Sequence, residues 1–70
     1  MEISIDMQAD AMYIKLKNGK FAKNKIIDED TILDLDKSGN ILGIELLSIS
    51  KRIPVEQLSK FNISVPIRKK

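Results

Sequence analysis

Apolar residues recur at every second position through most of the first fifty residues, and that spacing dictates strands, not helices. Ile3, Ile5 and Met7 alternate with Glu2, Ser4 and Asp6. After a turn at Gln8-Ala9-Asp10, residues 11–17 alternate again, with Met12, Ile14 and Leu16 on one side and Tyr13, Lys15 and Lys17 on the other. Asn18-Gly19 is a strong signal for a tight hairpin turn, since both residues tolerate positive φ. Residues 21–27 form a weaker strand broken up by lysines, and Asp28-Glu29-Asp30 turns the chain. Residues 31–36 place Leu33 and Leu35 on one face and Ile32, Asp34 and Asp36 on the other. Lys37-Ser38-Gly39-Asn40 is the next turn. Residues 41–50 then carry Leu42, Ile44 and Leu46 inward, and Ile41, Leu47 and Ile49 make that strand apolar on both sides near its ends.

The period changes only after Ile53. Pro54 suits the first turn of a helix, and Val55, Leu58 and Phe61 follow at three-residue spacing, which predicts a two-turn amphipathic helix. Such a helix is too short to stand without packing on the sheet. Ile63, Val65 and Ile67 alternate once more, and Pro66 makes residues 62–70 an edge strand or a flexible tail. The expected fold class is α+β. One domain over residues 1–70 holds a small antiparallel β-sheet meander of four to five strands, with one short C-terminal helix packed on one face. The expected core is Ile3, Ile5, Ile14, Leu16, Leu33, Leu35, Leu42, Ile44, Leu46 and Leu58.

Composition narrows the function classes. Neither His nor Cys is present, which removes the commonest general base, the thiol nucleophile, the best soft metal ligands and any disulfide. Seventy residues leave little room for a deep cavity, so a site should be shallow or shared between subunits. The net charge of +2 and three aromatics argue against a nucleic-acid partner, which would need a dense basic face with stacking rings. Lys15, Lys17, Lys20, Lys23 and Lys25 form a basic stretch, followed by an acidic block of Asp28, Glu29, Asp30, Asp34 and Asp36. Both read as solvated faces. Apolar runs fall far short of the roughly 20 residues of a membrane span, and no targeting segment is read at the N-terminus, so the expectation is a cytoplasmic protein with no membrane partner and no cofactor.

Residues Ala9-Asp10-Ala11-Met12-Tyr13-Ile14 resemble the ADALYI signature of DUF2283, a family of small prokaryotic proteins of unknown function. The likeness continues through Ile32-Leu33-Asp34-Leu35-Asp36, Ser38-Gly39-Asn40 and Gly43-Ile44-Glu45, and ends near Ser50-Lys51-Arg52. Met12 departs from the family's usual Leu, and the chain after Pro54 looks less standard. The resemblance implies a β-rich fold and no activity, with an antitoxin role suggested for some relatives.

Two constellations could carry chemistry. Against a twelve-residue calcium loop, Asp34, Asp36 and Ser38 fall on the first, third and fifth ligand positions, Gly39 on the sharp turn, Asn40 on a carbonyl position and Glu45 on the twelfth. Period-two flanks argue instead for a β-turn in which Asp36, Ser38 and Asn40 bond their own backbone. Asp34, Asp36 and Glu45 could also pair as acid and base in a small enzyme whose site is shared between subunits, though an acidic solvent face is the simpler reading. The expected function is therefore non-catalytic: a protein–protein interaction module, antitoxin-like in class, with a protein partner or a second copy as its target. The expected contact residues are Tyr13, Leu47, Ile49, Ile63, Val65 and Ile67.

Overall fold

The computed structural model describes residues 1–60. They form a five-stranded antiparallel sheet followed by a short helix, as the alternation predicts. The strands are β1 (Glu2–Asp6), β2 (Ala11–Lys15), β3 (Phe21–Asp28), β4 (Thr31–Asp36) and β5 (Ile41–Leu46). Their order across the sheet is β1-β2-β5-β4-β3. The β3–β4–β5 part is a meander, but β5 slots in beside β2, so β2 and β3 are not neighbours. Asn18-Gly19 thus makes no tight hairpin. The chain crosses one end of the sheet instead, and the N–H groups of Leu16 and Lys17 both donate to the Leu42 carbonyl (2.8 and 3.3 Å). Gly19 gives room there, not positive φ: a Cβ on it would lie 2.5 Å from Leu42 Cδ2.

Cross-strand register sorts the side chains into rows. One face carries Ile3–Ile14–Ile44–Leu33–Lys25 across all five strands, with Ile5–Met12–Leu46–Thr31 beside it. The other carries Glu2–Lys15–Gly43–Asp34–Asn24 and Ser4–Tyr13–Glu45–Ile32–Ile26. A bulge between Asp34 and Leu35 sets Leu35 against Ile41, leaving Leu42 as the extra residue of β5.

The core is smaller than the alternation suggests. Met12, Leu35, Leu42 and Ile49 are the buried apolar residues of the described chain. Of the expected core, Leu35 and Leu42 are buried, whereas Ile5, Ile14, Leu33, Ile44, Leu46 and Leu58 remain partly open. Ile3 and Leu16 are exposed. The shape accounts for this. The slab measures 36 × 34 × 18 Å, and its radius of gyration of 13.9 Å exceeds the roughly 11 Å of a compact 70-residue domain. A single sheet layer cannot bury its own apolar face.

The helical part also differs from expectation. Strand β5 stops at Leu46, and α1 (Ile49–Arg52) begins before Pro54, within the stretch that reads as strand. Residues Val55–Gln57 form one 3₁₀ turn where the start of a two-turn α-helix is expected, and Phe61 lies outside the described residues. Helix α1 is fastened from far away in sequence. Asp10, at φ 54°, accepts the Ile49 N–H on its carbonyl (3.0 Å), and its carboxylate takes Ser50 N and Oγ (2.9 and 2.7 Å). Asp30 accepts Leu47 N–H on its carbonyl and Ser48 Oγ on its carboxylate (2.9 and 3.1 Å). Arg52 reaches the Thr31 hydroxyl (3.0 Å), which brings the chain over the end of the apolar face that holds Leu46 and Met12. Ile49, 1 % exposed, is the most buried of the apolar side chains described.

Candidate functional site

The polar face holds the most organised side chains. Tyr13 on β2 and Asp34 on β4 are separated by the whole width of β5, yet the Tyr13 hydroxyl donates to Asp34 Oδ2 at 2.9 Å. Gly43 makes this possible. A Cβ there would collide with the Tyr13 hydroxyl and lie 2.5 Å from Tyr13 Cζ, so the ring lies across a strand that has no side chain at that point. Asn24 Nδ2 on β3 completes the line, donating to Asp34 Oδ1 at 2.7 Å. Both carboxylate oxygens of Asp34 are thereby engaged, and the three side chains link β2, β4 and β3 across β5.

Burial of the Tyr13 phenol, then its bond to Asp34 and the negative charges of Asp34 and Glu45, raise its pKa above the ordinary value. The neutral phenol is the form the fold prefers, so its stabilising contribution is complete below the unfolded value of about 10 and is lost as pH rises through the higher folded value. Tyr13 is the sole tyrosine, so the phenolate absorbance reports it alone. We expect a midpoint above that of free tyrosine, falling back in Asp34→Asn. An ordinary midpoint in the wild-type chain would contradict the bond.

The turn from β4 to β5 is built as its residue types predict. Asp36 Oδ1 accepts the N–H groups of Ser38 and Asn40 (2.9 and 2.8 Å), Oδ2 accepts Asn40 Nδ2 (3.0 Å), and Gly39 supplies φ 88°. Bonds from the Asn40 side chain and backbone hold the Asp36 carboxyl below its usual pKa. The calcium-loop candidates are not drawn to one point. Asp36, Ser38 and Asn40 serve the turn, Asp34 serves Tyr13 and Asn24, and Glu45 lies up β5 opposite Tyr13 and Ile32. Among the described residues no three acidic side chains are grouped to hold an ion. A hollow of about 250 Å³ beside β1 is lined by Ser4, Asp6, Ala9, Tyr13 and Glu45.

The expected contact residues fare differently from one another. Tyr13 is partly exposed, and its hydroxyl donates to Asp34. Leu47 is partly exposed, with its N–H on Asp30. Ile49 must be corrected: its side chain is wholly used by the protein's own core and offers a partner nothing. Ile63, Val65 and Ile67 lie outside the described residues. Sequence reasoning missed Asp10 and Asp30, which look like ordinary turn residues until the segment they hold is known. No helix among the described residues is long and apolar enough to cross a membrane.

The family profile of DUF2283, a protein of unknown function, matches residues 2–50. The chain belongs to the DUF2283 family. The matched region spans all five strands and the start of α1, so it takes in Asp10, Tyr13, Asp34 and Gly43. The DUF2283 segments noted in the sequence meet in space: Asp10 fastens α1, while Tyr13, Asp34 and Gly43 form the strand-crossing contact. No curated protein and no solved structure matches the chain.

Proposed function

We propose that this DUF2283 protein is a non-catalytic interaction module that works by protein–protein contact and self-associates. The observation that carries the reading is the part-open apolar face. Ile14, Ile44 and Leu33 sit in the middle row of the sheet, where a self-sufficient domain would be best covered, and all three keep contact with solvent. Open apolar surface of this kind is what protein interfaces are made from. The side chains best suited to chemistry, Tyr13 and Asp34, bond each other and Asn24 across the opposite face. An antitoxin-like role belongs to this class: a small cytoplasmic protein that covers part of a partner enzyme.

The test is affinity capture of tagged full-length protein from native-host lysate, together with sedimentation of the purified chain. A stoichiometric complex, with itself or with one partner, is the expected result. A chain that sediments as a monomer at every concentration and captures nothing would end the proposal.

A further inference from the structure

Resting on that reading, we infer that the occupant of the apolar face is a second copy of the same chain, packed face to face about a two-fold axis parallel to the strands. Strand order makes the face self-complementary under this operation. With β5 central, the axis lays β5 over β5, β2 over β4 and β1 over β3 of the second copy. The five-residue row then stacks on itself. Ile44 meets its own counterpart, and Ile14 meets Leu33 of the second copy. Ile3 meets the aliphatic stem of Lys25 of the second copy.

Charge favours the same arrangement. The β3 border places Lys23 and Lys25 on this face, opposite Leu35 and Leu33. The β1 border presents Ile3 and Ile5 on this face and turns Glu2 and Asp6 to the opposite one. A strand-parallel axis sets each basic border over an apolar one, whereas an axis across the strands would set lysine over lysine. Size is sufficient as well: the 36 × 34 Å outline exceeds the roughly 800 Å² that each partner contributes to a stable interface. The product is a two-layer sandwich, the arrangement in which antiparallel sheets with one apolar face are buried.

Sedimentation equilibrium of the full chain tests this. The wild-type protein should be a dimer, and Ile44→Lys should be a monomer that keeps its sheet by circular dichroism. Should Ile44→Lys fail to fold, a cross-link between the borders decides the matter. The chain has no cysteine of its own, so the Ile3→Cys/Lys25→Cys double variant should oxidise to a covalent dimer while either single variant does not. A dimer that survives Ile44→Lys with its sheet intact, or a double-cysteine variant that forms no covalent dimer, overturns the proposed face. A wild-type monomer overturns it too. If that monomer dimerises on removal of residues 61–70, the chain's own tail is the occupant, and if it captures another protein from lysate, the interaction reading stands while the second copy falls.

Discussion

Gly43→Val is expected to cost about 2–3 kcal/mol, because it both overpacks the polar face and breaks a bond to a carboxylate. Any side chain at Gly43 occupies the space of the Tyr13 ring, so the phenol must swing off Asp34. For a domain this small the loss corresponds to a fall in Tm of roughly 10–20 °C. The mechanism makes a sharper claim about pairs. Once valine has displaced the ring, Tyr13 has little left to contribute, so Tyr13→Ala should cost much less in the Gly43→Val background than in the wild type. Thermal melts of the four proteins at one fixed concentration close the cycle. Strictly additive losses would mean that Tyr13 and Gly43 do not share the space.

Ile49→Ala should be comparably damaging, at about 2–5 kcal/mol, since it empties the most buried position of the described chain. A four-residue helix has no stability of its own. Its place is maintained by Ile49 beneath it and by Asp10 and Asp30 at its start. Against a total stability of roughly 5–15 kcal/mol, the alanine variant should show a much lower urea midpoint, and Ile49→Val should lose only about 0.5–1.5 kcal/mol. An alanine variant as stable as the wild type would mean that α1 is not part of the folded core.

Period-two spacing made the five strands legible, along with the faces of Tyr13 and Asp34 and the chemistry of the Asp36–Asn40 turn, because each depends on residues within a few positions of one another. Strand order was not legible. Asn18-Gly19 has the residues of a hairpin turn, and nothing local says that β5, still twenty residues ahead, will take the place beside β2. That single insertion brings Tyr13 within reach of Asp34, so the polar line across the sheet could not be foreseen from a simple meander. Helix α1 was hidden for a related reason. Ile49-Ser50-Lys51-Arg52 continues an alternating strand and has no capping side chain of its own, because its cap is Asp10, forty residues earlier. The core was overestimated because alternation identifies which face is apolar and says nothing about how much of the chain is left to cover it.

The most direct test of the central claim is an isotope-filtered NOE measurement on a dimer assembled from labelled and unlabelled chains. Intermolecular contacts are expected between the methyl groups of Ile14 and Leu33, and from Ile44 to Ile44, with the backbone amides of β1 and β3 silent. Contacts confined to those edge-strand amides, or none from the Ile14–Ile44–Leu33 row, would contradict the sandwich and place the interface elsewhere.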